Sequence, residues 1–197
     1  MDNLELNLQL LCLFLSQENR WKGTTAEGQE SVLDHTFKQA FITQIMLAYE
    51  MRDGNPHELD IFLFLQAAIN HDIAEAFVGD IPKPDKTDEN DLEEDQMFSN
   101  IIATMIPLEI QPFFPQPPDR NKKIRPVDRV FWQVCETVGY LLFAWEKTRN
   151  GDKHFESIFR LHLEELKKQS TVFHSAREIA RTFDYYYEKY DEEKTSG

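Results

Sequence analysis

The sequence predicts an all-α protein. Apolar residues recur with the period of a helix almost throughout the chain, and no hairpin dipeptide separates runs of β-branched residues. Glycine is rare, with 7 in 197 residues, while phenylalanine is frequent, with 15, as expected for a globular, helix-rich chain. A chain of this length can bury a sufficient core without disulfides or a structural metal ion, so we expect one domain over 1–197.

Seven helices are predicted from the apolar repeats and from the residues that interrupt them. Glycine and proline stop a helix because they disrupt its regular hydrogen bonding. The clearest stops are 53–56, the loop over 79–84 and a proline-rich connector over 107–118. The acidic residues over 191–197 are expected to fray in solvent. The predicted helices span 4–18, 32–51, 58–77, 88–105, 130–147, 152–168 and 171–190.

Two helices carry further signals. Ser31 and Asp34 have the spacing of a capping box, which predicts that the second helix begins at 32. The third helix is apolar nearly all round, so we expect it to be central.

The charge of the chain excludes some partners. Its 21 Lys and Arg residues face 35 Asp and Glu residues, which gives a formal net charge of −14. Proteins that bind nucleic acid or anionic membranes neutralise phosphate charge, so we expect neither as a partner. If the substrate is a phosphate, a local cation must hold it.

The two cysteines and the N-terminal residues indicate the compartment. Cys12 and Cys135 both lie among apolar residues, and we expect buried free thiols in a reducing compartment. The apolar residues 8–15 follow Asp2 and Glu5 rather than basic residues, which argues against a signal peptide. We therefore predict a cytoplasmic protein.

The most informative stretch is 70–82, with the letters NHDIAEAFVGDIP. It places one imidazole and three carboxylates at the polar end of an otherwise apolar helix, where ionisable groups without partners cost on the order of several kcal/mol. A divalent cation is the natural compensation, because imidazole nitrogen and carboxylate oxygen are its usual ligands. Adjacent His71 and Asp72 do not share a helix face, so further ligands must come from elsewhere in the chain.

Two other places carry suitable side chains. His35 follows Asp34 in the first turn of the second helix, and Asp128 lies in the segment RPVDRV ahead of an apolar helix. This order of residues resembles the HD metal-dependent phosphohydrolase superfamily. A lone His-Asp pair is unspecific, since a histidine at a helix end more often bonds to a neighbour.

The finer resemblance is to the small single-domain 5′-deoxynucleotidases of that superfamily. It rests on the pattern HDxxExxxGDIPxP over 71–84 and on the triplet Asn19-Arg20-Trp21 after the first helix. It extends over about residues 5–168 and includes 145–147 and 150–151. The resemblance implies an HD-domain bundle of about six to eight helices around a metal site, and a homodimer.

The implied metal site holds one divalent ion, which could be Co, Mn, Mg, Zn, Ni or Fe. By resemblance, its ligands are His35, His71, Asp72 and Asp128. The alternative is a buried polar cluster without an ion. Asp34 is interpreted as a helix cap rather than a ligand. Pro126 suits a first helical turn, which would place Asp128 near a helix start.

The resemblance also implies roles around the ion. Glu75 lies on the same side of the predicted helix as the metal ligands and would act as general acid or base, and Asp80 would orient the attacking water. Arg20 would hold the scissile phosphate, and Trp21 would pack on the sugar and disfavour a 2′-hydroxyl. The alternatives are a solvated glutamate, a turn-stabilising aspartate, a surface arginine and a core tryptophan.

The leading functional hypothesis is a metal-dependent phosphomonoesterase. Its substrates would be nucleoside 5′-monophosphates, preferably deoxynucleotides, which it would hydrolyse to nucleoside and phosphate. One alternative keeps the metal and changes the substrate to a nucleoside triphosphate, a cyclic nucleotide or another small phosphate ester. A second alternative is a metal-stabilised binding module without turnover.

Overall fold

The computed structural model describes residues 4–21, 30–81, 86–118, 120 and 123–196. Over these residues the regular secondary structure is helical, and an isolated antiparallel bridge pairs Asn19 with Ser31. The predicted all-α class is therefore confirmed. The helices are α1 (Leu4–Gln17), α2 (Val32–Arg52), α3 (Ile61–Asn70), α4 (Glu75–Val78), α5 (Asp88–Met105), a 3₁₀ turn (Gln111–Phe113), α6 (Pro126–Arg149), α7 (Lys153–Gln169) and α8 (His174–Ser196).

The observed start of α2 agrees with the predicted start, where the sequence carries a capping box. The capping box before α2 is present, because the Ser31 hydroxyl accepts from the Asp34 N–H at 3.1 Å and the Asp34 carboxylate accepts from the Ser31 N–H at 3.3 Å. Helix α6 begins four residues earlier than predicted, at Pro126, since proline has no N–H to lose in a first turn. The predicted loop residues 22–29 and 82–84 lie outside the described residues.

The prediction of one continuous helix over 58–77 is wrong. A turn over 71–74 separates α3 from α4. In this turn the Ile73 N–H donates to the Asn70 carbonyl at 3.2 Å, and the Glu75 N–H donates to the Asp72 carbonyl at 3.0 Å. These i to i−3 bonds wind the chain more tightly than an α-helix does, which changes the direction of successive side chains. The residues predicted to carry the chemistry lie at this break.

The prediction of a frayed tail over 191–197 is also wrong for 191–196, which α8 includes. The Lys194 ammonium donates to the Glu156 carboxylate at 3.0 Å, and the Tyr190 hydroxyl donates to the Thr148 carbonyl at 3.0 Å. These contacts join the end of α8 to α6 and α7. Residue 197 lies outside the described residues.

The cysteine prediction is half correct. Both thiols are free, and Cys135 is buried in α6, but Cys12 is exposed on α1. Helix α1 is apolar on more than one face, and it also leaves Leu6 and Leu13 exposed, so helical spacing alone did not identify its buried side.

The chain divides into two compact units, one formed by 1–40 with 62–122 and the other by 41–61 with 123–197. The expectation of a single domain stays a prediction. In the second unit α6, α7 and α8 pack together through aromatic side chains. Phe159 is central among them, with ring centroids 5.0 Å from Trp145 and 5.2 Å from Tyr187.

In the first unit, α1, α4 and α5 pack around an apolar cluster. The cluster shares two residues with the turn over 71–74, so the apolar core holds one side of the site in place. Its buried members are Ile73, Ala74, Phe98, Ile101, Ile102 and Ile106.

The stretch Ile61–Val78 is long and apolar enough to span a membrane by composition, with a mean hydropathy of 1.3 over 18 residues. Half of it is buried inside the protein. The turn over 71–74 interrupts it, and it carries the buried ionisable side chains of His71, Asp72 and Glu75. It therefore has the features of a core segment.

Phe98 tests how far this core supports the first unit. Because its ring is 6% exposed, Phe98→Ala should lower the free energy of unfolding by about 3 to 5 kcal/mol. Leu92→Ala in the same helix removes a 58% exposed side chain and should change that free energy by less than about 0.5 kcal/mol. Denaturant unfolding measures both, and equal effects of the two substitutions would contradict the assignment of this core.

Candidate metal centre

Three side chains from the first turn of α2 and the turn over 71–74 converge in the first unit. One ligand atom from each of His35, His71 and Asp72 lies within 4.8 Å of the others. The Nε2 atoms of His35 and His71 lie 3.5 Å and 3.1 Å from Asp72 Oδ2. The group is compact enough for one cation to contact all three residues.

The hydrogen-bond partners of the two imidazoles test whether these residues fit a cation. His71 Nδ1 lies 2.9 Å from the Ala68 carbonyl oxygen, and His35 Nδ1 lies 3.7 Å from Glu30 Oε2. An imidazole that donates through Nδ1 presents its Nε2 lone pair on the other side. Two Nε2 atoms and a carboxylate oxygen therefore converge. This donor set fits a divalent metal ion.

The charge state of His35 agrees with a ligand role. Burial lowers the pKa of His35 from 6.5 to about 4, and the positive charge of Arg20 acts in the same direction. Glu30 opposes these effects but does not cancel them. Near neutral pH the ring is therefore uncharged, and metal ligation requires that form.

Backbone pairing carries Arg20 into this site. The Arg20 N–H donates to the Glu30 carbonyl, and the Val32 N–H donates to the Glu18 carbonyl, both at 2.9 Å. These bonds flank the bridge between residues 19 and 31, so the end of α1 and the start of α2 run antiparallel. Arg20 is consequently 6% exposed and points inward, which excludes the interpretation as a surface arginine.

Among the described residues, three carboxylates lie close to Nη1 of Arg20. Its Nη1 donates to Asp72 Oδ2, lies 3.4 Å from Glu75 Oε2 and lies 3.9 Å from Asp80 Oδ1. All three carboxylates are buried. With the imidazoles neutral, the nearby carboxylates outnumber the single guanidinium, and a bound cation would offset excess negative charge.

The carboxylates differ in their affinity for protons. Burial raises the pKa of Glu75 well above its usual value, and the nearby charge of Asp72 adds to the effect. Burial also acts to raise the pKa of Asp72, but His71 and Arg20 outweigh it and hold that pKa well below the usual value. The site therefore pairs a carboxyl group with a raised affinity for its proton and one with a lowered affinity, a difference that acid–base chemistry can use. Glu75 is 4% exposed, which excludes the solvated glutamate.

Asp80 is fixed from both sides. Its N–H donates to Glu18 Oε1 at 3.0 Å, and its Oδ2 accepts from the Trp21 N–H at 3.0 Å. Burial raises its pKa, although Arg20 opposes this. The preceding Gly79 has φ 88°, which glycine adopts without the steric cost that a Cβ would impose. Asp80 therefore connects the chain after α4 to residues 18 and 21, and its carboxylate also lies near the Arg20 guanidinium.

Trp21 is half-buried and has an unusual backbone. Its φ of 65° is left-handed, which is rare for a bulky residue. Its indole Nε1 lies 3.4 Å from Glu30 Oε2. Strained conformations of this kind cluster at functional sites.

Asp128 belongs to the second unit and lies in the first turn of α6. The guanidinium of Arg125 donates to both of its carboxylate oxygens, through Nε and Nη2, at 2.7 Å each. The structure thus brings together seven of the predicted site residues in the first unit. In the second unit, Asp128 pairs with Arg125. Its role as a fourth ligand stays a prediction. The seven residues are Arg20, Trp21, His35, His71, Asp72, Glu75 and Asp80.

Sequence reasoning missed two residues of the site. Glu18 accepts from the Asp80 backbone, and Glu30 is 4% exposed and faces His35 and Trp21. Burial acts to raise the pKa of Glu30, but His35 and Lys38 lower it to about 2. Both glutamates lie in polar surroundings in the sequence, where most glutamates are solvated. The single available signal for Glu30 was its position directly before the capping box.

Comparisons with known proteins agree with this geometry. The sequence matches the family described as 5′-deoxynucleotidase YfbR-like over residues 13–183. The search of curated proteins finds no significant match.

Solved structures share the fold. An HD-domain phosphohydrolase from Listeria innocua is 24% identical, with a TM-score of 0.68, and the match covers 88% of this chain and 83% of that one. A conserved hypothetical protein from Pyrococcus furiosus is 26% identical, with a TM-score of 0.64 and coverage of 90% and 97%. The PH0347 protein from Pyrococcus horikoshii is 22% identical, with a TM-score of 0.63 and coverage of 90% and 98%. The family match spans most of the chain and includes all the residues of the candidate centre, so the protein belongs to the family described as 5′-deoxynucleotidase YfbR-like.

Proposed function

We propose that this phosphohydrolase removes the phosphate from nucleoside 5′-monophosphates, preferably deoxynucleotides. One observation carries the proposal: a buried guanidinium lies beside a candidate cation site and contacts three carboxylates. A guanidinium in that position is suited to bind one phosphate group through paired hydrogen bonds. The YfbR-like family description supports the same substrate class.

One divalent ion belongs to this proposal, held by His35, His71, Asp72 and Asp128. When bound, it supplies Lewis acidity that polarises a phosphate oxygen. Arg20 binds another phosphate oxygen and so stabilises the negative charge that develops there. The identity of the ion stays open among Co, Mn, Mg, Zn, Ni and Fe.

Asp80 and Glu75 act on the attacking water and on the leaving group, respectively. Asp80 orients a water molecule, whose oxygen forms the new bond to phosphorus. Glu75 donates its proton to the 5′-oxygen of the nucleoside as the phosphorus–oxygen bond breaks. Its raised pKa favours the protonated form that a general acid needs. The products are the nucleoside and inorganic phosphate, which keeps one proton of the attacking water, while the other proton of that water replaces the one donated by Glu75.

Trp21 is proposed to contact the sugar. Its ring is half-buried at the edge of the site, next to Asp80, which accepts from its backbone N–H. A rigid indole against the deoxyribose would collide with a 2′-hydroxyl and so disfavour ribonucleotides.

The homodimer and the cytoplasmic location stay predictions. An exposed apolar stripe along α2 supports the homodimer, since a helix face of this kind is typical of an interface. Its members, with exposed fractions of 37% to 74%, are Leu33, Phe37, Phe41 and Ile45.

Asp72→Ala tests the cation site. The variant should lose bound metal and phosphatase activity while it remains folded, because the apolar cluster behind the site is untouched. Metal content after gel filtration and far-UV circular dichroism measure the two properties. Asp34→Ala is the matched control, since Asp34 caps α2 and should retain the metal. Stoichiometric metal in Asp72→Ala would remove Asp72 from the ligand set.

Glu75→Ala separates chemistry from binding. The variant should bind metal and nucleotide but turn over at least about 100-fold more slowly, the usual scale for loss of a positioned proton donor. Single-turnover kinetics with a deoxynucleoside monophosphate measure this rate. An unchanged rate would exclude Glu75 as the general acid and would favour a different proton source.

A substrate panel tests the proposed function as a whole. It contains ribo and deoxy mono-, di- and triphosphates and cyclic nucleotides, each assayed with several divalent ions after chelation. Deoxynucleoside monophosphates should have the highest kcat/KM, about 10- to 200-fold above the ribonucleotides. Preferred hydrolysis of triphosphates or cyclic nucleotides would replace the proposed substrate, and no turnover of any substrate would favour a binding module.

Two variants in the same panel locate the sugar selectivity. Trp21→Ala should narrow the deoxy-to-ribo ratio, mainly by improving the ribo substrate relative to the deoxy one. Arg20→Ala should lower kcat/KM for both sugars about equally, because both share the phosphate contact. A parallel loss on both sugars in Trp21→Ala would assign the indole to packing.

A further inference from the structure

Glu30 is a buried carboxylate that the proposed reaction does not use. It is 4% exposed, although glutamate is almost never buried without partners. Its two oxygens face different surroundings. Oε1 accepts from the Lys38 ammonium at 2.8 Å, and Lys38 is itself exposed. Oε2 points the other way, toward the candidate metal centre.

Within the part of the chain that the structure describes, three nitrogen atoms lie within 4.0 Å of Glu30 Oε2. They are Trp21 Nε1 at 3.4 Å, His35 Nδ1 at 3.7 Å and Arg20 Nε at 4.0 Å. Each belongs to a side chain with a separate role in the proposed reaction. One carboxylate oxygen therefore lies near Trp21, proposed to contact the sugar, His35, proposed to bind the metal ion, and Arg20, proposed to bind the phosphate.

The backbone holds Glu30 in this place. Its carbonyl accepts from the Arg20 N–H at 2.9 Å, and the capping box of Ser31 and Asp34 follows it directly. Position 30 is thus fixed to the end of α1 on one side and to the start of α2 on the other. The backbone at position 30 is therefore held close to both His35 and Trp21.

We propose that Glu30 is a positioning residue that holds His35 and Trp21 together, so that metal affinity and sugar selectivity depend on the same carboxylate. This inference rests on the proposed function. The negative charge of Glu30 Oε2, 3.7 Å from His35 Nδ1, favours the tautomer with the proton on Nδ1, which leaves the Nε2 lone pair of His35 free for a metal ion. The same oxygen receives the indole N–H, which fixes the plane of the Trp21 ring at the site edge.

Glu30→Gln tests this inference. The amide keeps the size of the side chain but loses the negative charge and has one acceptor oxygen, so it cannot accept from Lys38 on one side and attract His35 and Trp21 on the other with the same strength. The variant should bind Mn²⁺ about 10- to 100-fold more weakly, the usual effect of removing a partner of a metal-bound histidine. Its deoxy-to-ribo ratio of kcat/KM should narrow as well. Titration calorimetry measures the first quantity, and the substrate assay measures the second.

Glu94→Gln is the matched control. Glu94 is also buried, at 2% exposure, and it also accepts from a lysine ammonium, that of Lys86, at 2.8 Å. Its other cationic partner is Arg120. The control removes an equivalent buried charge without a contact to His35 or Trp21, so Mn²⁺ affinity and the sugar ratio should stay unchanged. If Glu30→Gln behaves like this control, Glu30 is only the ion-pair partner of Lys38 and the inference is overturned.

A measurement on the wild type covers the case in which Glu30→Gln does not fold. Long-range ¹H–¹⁵N spectra of the metal-free protein near pH 7 report which nitrogen of His35 carries the proton, with His35→Gln to assign the signals. Protonated Nδ1 supports the inference, and protonated Nε2 overturns it.

The outcomes also distinguish this inference from the proposed function. Wild-type protein that binds no Mn²⁺ or hydrolyses no nucleotide contradicts the function itself. Wild-type protein that does both, together with a Glu30→Gln variant of unchanged metal affinity and sugar ratio, contradicts the role of Glu30 alone.

Discussion

The arrangement of the first unit depends on the contact between one buried guanidinium and several buried carboxylates. Arg20 donates to Asp72 and lies close to Glu75 and Asp80, and these groups have little access to water. Carboxylates at such a depth are tolerated only when opposite charge is near. The backbone pairing that inserts Arg20 between the helices is therefore a condition for the whole site.

The interruption between α3 and α4 serves the same purpose. An unbroken apolar helix would have pointed His71 and Asp72 in different directions around its axis. The tight turn lets both side chains face the candidate cation site with His35. The next two residues of the turn, Ile73 and Ala74, belong to the apolar cluster. The polar pair 71–72 therefore lies at the candidate cation site, and the apolar pair 73–74 that follows lies in the core.

Much of this could be predicted from the sequence, because local signals have local causes. The capping box of Ser31 and Asp34, the position of Pro126 in a first turn and the apolar repeats all depend on neighbours within a few residues. The composition of the stretch over 70–82 indicated a cation site because burial of those groups needs compensation. The likeness to a known family then assigned roles to individual residues.

The missed features have non-local causes. The turn over 71–74 places Asp72 beside Arg20 and His35, which are distant in sequence, and helix propensity carries no information about such contacts. Glu30 is buried where residue 19, after α1, pairs with residue 31, before α2. The local sequence EGQES over 27–31 does not indicate this pairing. The added turn at the end of α8 depends on Glu156 in another helix.

The left-handed backbone at Trp21 has a thermodynamic consequence. An L-residue with a side chain is disfavoured there by roughly 1 to 2 kcal/mol, whereas glycine would adopt the same φ readily. A glycine would relax the chain but remove the ring from the site edge. If Trp21 contacts the sugar as proposed, stability favours glycine at this position and sugar selectivity favours tryptophan, so a screen for stability alone would select variants with reduced selectivity.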